Sequence, residues 1–212
     1  MESKVRVKII FQDKTSARNK IPYCLEMITS KSSSFSLASA YTKQNPKEII
    51  TPTMYIKMTK NCEGFTKRRG YWKSYDTLTD KEKHFPVAFG IVMYTDVELF
   101  ERLLRAIYRP HNYYCIHVDS KSNSNIKHAV AGIAACFDNV ILSSKSYAVK
   151  WGTISVLNAE LICMGDLWKY KKWKYFINLT GQEFPLRTNS ELVQILESLN
   201  GYNDAAGRTP VP

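Results

Sequence analysis

Three short stretches of this sequence carry residues with the chemistry of a binding or catalytic site. Asp119-Ser120-Lys121-Ser122 sets a carboxylate beside an ammonium group. A carboxylate there can accept hydrogen bonds from a ribose hydroxyl or a uracil N–H, and Lys121 can offset phosphate charge. Asp119 is equally suited to cap the helix that follows, and spacing alone leaves both roles open. Trp151-Gly152 offers an indole that can stack on a base or pack under its own loop; by residue type alone packing is favoured. Gly152 permits close backbone approach. Glu183, within Gly181-Gln182-Glu183-Phe184-Pro185-Leu186, has the chemistry of a general base. It stands alone beside Phe184-Pro185, however, and is read instead as holding its loop through backbone N–H groups. His111 and His117 lie beside strand-like runs and are read as structural.

Several chemistries are excluded. There is no GxGxxG, GxxxxGK[ST], GxSxG or HExxH. A diphosphate-bound divalent cation is often held by two acidic residues in a D-x-D pattern, but here the sequence runs His117-Val118-Asp119. A hard cation wants several oxygen ligands, so a metal-independent site is expected. The five cysteines, Cys24, Cys62, Cys115, Cys136 and Cys163, show no zinc-ligand spacing. They are either buried thiols or two disulfides with one left over, and composition does not choose. The net charge of +11, from 30 Lys+Arg against 19 Asp+Glu, favours phosphate-bearing partners. It is spread along the chain: Lys67-Arg68-Arg69 and the stretch from Lys169 to Lys174 are its densest points, and Tyr170 and Trp173 interrupt the second. That is a solvated surface rather than a nucleic-acid footprint.

These residues need a scaffold. Val87-Ala88-Phe89-Gly90-Ile91-Val92-Met93-Tyr94 is a continuous apolar run, as in a strand buried on both faces of a parallel sheet. Asp96 caps an expected helix through Leu99, Phe100, Leu103, Leu104 and Ile107, which Pro110 stops. Tyr113 to Val118 is a second buried strand, with Asp119 just past its end. The alternation goes on with a helix over Ile126 to Phe137, a short strand Val140-Ile141-Leu142, and a helix over Ser155 to Leu167 through Val156, Ala159, Leu161 and Ile162. A strand Tyr175 to Leu179 and a helix from Ser190 to Leu199 complete it. Such alternation predicts a parallel, doubly wound α/β sheet, whose ligands bind beyond the carboxyl ends of the strands. Asn178-Leu179-Thr180 is a glycosylation sequon, but on a strand read as buried it is expected to be unmodified.

Residues 1–60 are weakly patterned, with a polar stretch at Lys31-Ser32-Ser33-Ser34 and prolines at Pro46 and Pro52, and read as a stem or tail. No apolar run approaches the roughly 20 residues that span a bilayer. Met1 to Lys14 has no continuous apolar core of the signal-peptide kind.

In combination these segments resemble the core 2/I-branching β-1,6-N-acetylglucosaminyltransferases, glycosyltransferase family 14. The resemblance is carried by Phe85-Pro86-Val87-Ala88-Phe89, by Arg102 to Pro110 (RLLRAIYRP), by Tyr114 to Ser122 (YCIHVDSKS), by Gly132 to Val140 (GIAACFDNV) and by Tyr175 to Pro185 (YFINLTGQEFP). It runs from about Asn61 to Asn203, which makes 61–212 the N-terminal part of a glycosyltransferase domain. The resemblance implies a GT-A-like fold, truncated at its C-terminal side, in a type II Golgi membrane protein with its domain in the lumen. It implies metal-independent, inverting transfer of GlcNAc from UDP-GlcNAc to the GalNAc or galactose of O-glycans. Donor contacts would fall on Val92, Met93 and Tyr94, on Asp119, Ser120 and Lys121, and on Trp151. Val92 keeps the family residue, whereas Met93 and Tyr94 depart from it, so contacts there would run through the backbone. By the same resemblance Cys62 pairs with Cys136 and Cys115 with Cys163, and Cys24 stays unpaired.

The family's general base, a Glu, and the Arg and Lys that neutralise the diphosphate would lie beyond Pro212, with acceptor contacts beginning near Asn203-Asp204. No catalytic residue is therefore expected within this chain, and no transfer by it alone. The alternative readings are a non-catalytic truncated paralogue that binds a nucleotide sugar or a partner, and a basic nucleic-acid-associated module.

Overall fold

The computed structural model describes residues 35–36, 39–40, 43, 49–71 and 78–203. Residues 1–49 and the chain from Ile50 onward form separate compact units. In the first, the described residues are all exposed. The signal-peptide question at Met1 to Lys14, Lys31 to Ser34, Cys24, and the stretch from Asp204 to Pro212 lie outside the described residues.

The second unit is built on a four-stranded, all-parallel sheet in the order β3-β2-β1-β4. The strands are β1 (Val87–Met93), β2 (Tyr113–Val118), β3 (Val140–Leu142) and β4 (Tyr175–Thr180). The expected doubly wound α/β architecture is therefore present. β1 is bonded on both sides and buried nearly throughout, which is why its sequence is apolar without alternation. Chain order steps outward from β1 to β2 to β3 and then returns to β4 on the far side of β1. That reversal makes the carboxyl ends of β1 and β4 the switch point of the sheet.

Seven helices lie in the described residues of this unit: α1 (Pro52–Met58), α2 (Cys62–Arg69), α3 (Asp80–Lys83), α4 (Val97–Ile107), α5 (Ser124–Ala134), α6 (Ile154–Trp168) and α7 (Asn189–Ser198). Asp96 caps α4 as expected, its carboxylate accepting from Leu99 N at 3.0 Å. Val97, Phe100, Leu103, Leu104 and Ile107 face the core, while Leu99 is 41% exposed. The helix stops at the extended Tyr108, two residues before Pro110, because proline disfavours helix in the residue preceding it.

The compact unit begins at Ile50 rather than near Asn61. Tyr55 of α1 is fully buried, packs edge-on against Phe65 and reaches Glu101. Glu101 of α4 is itself fully buried and paired with Arg69 of α2 and Arg105. A short helix that buries one residue has too little periodicity to be seen in sequence.

The two faces of the sheet differ in thickness. α1, α2, α4 and α5 share the main core with one face, whereas α6 lies on the other, over β1 and β2. α6 turns Ala159, Cys163 and Leu167 inward, at a spacing of four. Leu161, read as part of its buried face, is 49% exposed and joins Ile154, Leu157, Met164 and Trp168 on the outer side. β4 is an edge strand among the described residues: Tyr175, Ile177 and Leu179 pack on the main core and Phe176 on the smaller cluster of the other face, while Asn178 and Thr180 are exposed. The expectation of a buried strand around Asn178 is thus corrected, because the helix on that face lies over β1 and β2 and leaves the carboxyl end of β4 uncovered among the described residues. No described helix is long and apolar enough to cross a membrane.

Cys62 is bonded to Cys136 and Cys115 to Cys163, the pairing that the resemblance implied. The bridges close loops of 74 and 48 residues. On a chain-entropy account each stabilises the fold by about 4 kcal/mol. We expect alkylation of the denatured, unreduced protein to label one of the five cysteines, and five after reduction. A buried polar chain crosses the base of the sheet: Val87 N donates to Asn112 Oδ1 (2.9 Å), Asn112 Nδ2 to Asn189 Oδ1 (3.0 Å) and Asn189 Nδ2 to Glu82 Oε1 (2.7 Å). Asn189→Ala leaves a buried amide and a buried carboxylate oxygen without that partner and should cost about 1–3 kcal/mol in denaturant unfolding.

Candidate functional site

The carboxyl ends of β1 and β2 are joined by one main-chain and one side-chain bond. Asp119 N donates to Met93 O (2.9 Å) and Ser122 Oγ to Tyr94 O (2.6 Å). Both carbonyls thus accept a bond from the protein itself. The Met93 side chain is buried, Val92 half-buried, and Tyr94 51% exposed. On the β4 side Gly181 N donates to Val92 O (2.9 Å), and a Cβ at Gly181 would lie 2.9 Å from Met93 Cβ. Only glycine lets the chain pass this close to the end of β1.

Asp119 is 2% exposed. Its Oδ1 accepts from Lys121 N (2.8 Å) and its Oδ2 from Val149 N (3.0 Å). It caps no helix: Asn123 does that for α5, accepting from Ile126 N at 2.9 Å. What Asp119 does is tie the 143–150 segment to the end of β2. The tie is reinforced by Ser120 N to Tyr147 O (3.0 Å), Ser146 Oγ to Val118 O (2.5 Å) and Tyr147 N to His117 Nε2 (2.9 Å). Charge-assisted bonds of the Asp119 kind contribute about 1.5–3 kcal/mol each.

Lys121 stands at the rim with its side chain 51% exposed. Its ammonium donates to Val149 O (2.6 Å), lies 3.7 Å from Asp119 Oδ2 and sits 5.3 Å from the Tyr94 ring centroid. Ser120 is exposed, and its carbonyl accepts from Lys127 Nζ (2.7 Å). Trp151 is 93% exposed, so the reading that it packs under its loop is corrected. The turn beneath it is fixed by Thr153 Oγ1 to Lys150 O (2.8 Å), Lys150 N to Ser155 Oγ (2.8 Å) and the left-handed Gly152, φ 74°. The ring is held outward by a rigid turn. An unburied indole on such a support is suited to stacking on a flat partner.

Glu183 behaves as a loop anchor: Thr180 N donates to its Oε2 at 2.5 Å. Among the described residues no group of three His, Cys, Asp or Glu is placed to hold a metal ion. The residues that sequence reasoning missed are those of the tied segment, Ser146, Tyr147 and Val149. Tyr147 and Val149 act through main-chain groups, which leave no residue-type signal, and Ser146 through a lone hydroxyl in a run of serines that singles out none of them.

The family model described as Core-2/I-Branching enzyme matches residues 87–210. The chain belongs to the core-2/I-branching enzyme family. It is 46% identical over 155 residues to a human protein named beta-1,3-galactosyl-O-glycosyl-glycoprotein beta-1,6-N-acetylglucosaminyltransferase, a match covering 73% of this chain and 36% of that protein. It is 42% identical over 165 residues to the human protein of that name numbered 3 (77% and 37% covered). A bovine relative with the first name is 45% identical over 151 residues (71% and 35% covered). The chain thus spans about a third of the length of the curated relatives it matches. In this family member, the matched segment contains the whole sheet and both ends of the Asp119 tie.

His117 gives the site a pH dependence. Burial holds its imidazole below the ordinary value of 6.5, with the Asp119 charge opposing. Because Nε2 accepts from Tyr147 N, the ring must be neutral for that bond to exist. A base whose folded value is depressed stabilises the fold fully above 6.5, and that contribution is lost as pH falls from there through the lower folded value. Hydrogen-exchange protection of the Tyr147 amide, corrected for intrinsic rate, should therefore fall on acidification below about pH 6.5. Protection that stays level down to about pH 4 would contradict this account.

Proposed function

We propose that this chain supplies the nucleotide-sugar face of a β-1,6-N-acetylglucosaminyltransferase. Its donor is UDP-GlcNAc and its acceptor the GalNAc or galactose of mucin-type O-glycans. It works by inversion and without a metal ion, on the lumenal side of a Golgi membrane. The observation that carries the reading is the rim at the carboxyl ends of β1 and β2. There the exposed Tyr94, Ser120, Lys121 and Trp151 stand on a segment held by the buried Asp119.

In this reading Trp151 stacks on the uracil ring, and the Lys121 ammonium, held by Val149 O, meets the negative charge of the ligand. Asp119 positions both Lys121 and the 143–150 segment rather than reaching the ligand with a free oxygen. Inverting transfer also needs a base for the acceptor hydroxyl and cationic or dipolar groups for the departing diphosphate. Asp119 and Glu183 both have oxygens committed to backbone N–H groups, so neither supports assignment as that base.

Titration calorimetry tests the reading. UDP and UDP-GlcNAc should bind, with affinity unchanged by a chelator of divalent cations. Trp151→Ala should weaken UDP about tenfold, within the range for loss of one base-stacking aromatic. No heat with UDP, alongside RNA binding that weakens steeply with salt, would overturn the proposal in favour of a nucleic-acid module.

A further inference from the structure

Asn178-Leu179-Thr180 is the one Asn-x-Ser/Thr sequence, with x other than proline, in all 212 residues. The structure places it on β4, at the edge of the sheet among the described residues. Successive strand residues point to opposite faces. Leu179 packs into the core, and Asn178 and Thr180 share the exposed face. The residue paired with Asn178 on β1 is Gly90, which brings no side chain against it. Over Gly90 itself lies the ring of Phe176, where an added Cβ would come within 2.6 Å of Cζ. α6 roofs β1 and β2 on this face rather than β4. The end of the strand is held from behind, by Thr180 N on Glu183 Oε2 and Gly181 N on Val92 O. Among the described residues the Asn178 amide is therefore open above and at one side, on a backbone paired to β1.

We infer that Asn178 is a site of N-linked glycosylation. Nδ2 of Asn178 forms a bond to the anomeric carbon of an oligosaccharide carried on a lipid diphosphate. The bond from that carbon to the diphosphate oxygen breaks. The lipid diphosphate leaves with the electron pair, and Nδ2 gives up one proton. The inference rests on the secretory location argued under the proposed function. It also has a structural consequence. An exposed strand edge is a template for pairing with another chain. A glycan on the open face next to that edge obstructs such pairing without disturbing the core, because the Asn178 side chain is exposed and makes no hydrogen bond to another described residue.

The test uses the full chain, delivered to the secretory pathway of cultured mammalian cells behind a cleavable leader. The lumenal product is treated with peptide N-glycosidase, and Asn178-containing peptides are read by mass spectrometry. We expect a mobility step of a single glycan, with Asn178 converted to Asp. Asn178→Gln and Thr180→Ala should remove the step, and Thr180→Ser should keep it. The glycosylated form should also match Asn178→Gln in protease resistance and in having four protected cysteines. A product with four protected cysteines and no step would overturn the inference. So would a glycosylated fraction that alone fails to reach the disulfide-bonded form. Because the leader supplies delivery, neither outcome bears on the UDP titration, which tests the transferase reading separately.

Discussion

β1 is hydrogen-bonded along both edges and covered on both faces, and much of the remaining structure follows from that constraint. A strand so placed can carry only apolar or very small side chains. Gly90 is the point where the constraint is tightest, because Phe176 from β4 and Cys163 from α6 both close over it. The same closeness holds at the carboxyl end, where Gly181 lets β4 lead its chain against Met93. The end of β1 is thus shut on the β4 side. What remains open is the β2 side, and there the exposed polar and aromatic residues stand.

The charge of Asp119 is spent inward. A carboxylate this buried is tolerated because backbone N–H groups satisfy both its oxygens. The result is a loop, Ser143 to Lys150, that buries no side chain fully yet is bonded to the end of β2 at several points, with the Tyr147 ring stacked on His117. Binding groups mounted on such a loop lose less freedom when a ligand arrives than groups on a free one. Lys121 and Trp151 therefore derive their positions from a residue that is itself hidden.

The sheet was legible in the sequence because its signals are long and local: the apolar runs at Val87 to Met93 and Tyr113 to Val118, and the three-and-four spacing that ends at Ile107. Asp96 as a cap was legible for the same reason. Residue type alone favoured a packed Trp151 wrongly, because burial of one aromatic depends on what the turn at Gly152 does to its direction, and residue type does not encode that. Asn178 was misread because edge or centre is a property of strand order, which the sequence of the strand alone does not fix. α1 was invisible because its place depends on Tyr55 meeting Phe65 and Glu101, both distant in sequence from its own helix pattern. The family resemblance filled what local pattern left open, above all the cysteine pairing.

That pairing matters unequally on the two faces. The main core is broad, with Tyr55, Phe65, Tyr71, Phe89, Phe100 and Tyr114 among its buried members, and loss of one bridge there would leave most of its contacts standing. On the other face the buried cluster is Ala88, Cys115, Cys163 and Leu167, with only the partly buried Ile141 and four partly buried aromatics around it. A fully buried Leu contributes about 1.5–3 kcal/mol, and alanine much less. The Cys115–Cys163 bridge, at about 4 kcal/mol on the chain-entropy account, is thus comparable to the apolar attachment of α6 itself. α6 begins just after Trp151 and leads directly to β4, so its seating bears on both the rim and the sheet edge. Loss of the Cys115–Cys163 bridge therefore bears more on the seating of α6 than loss of the Cys62–Cys136 bridge bears on the broad main core.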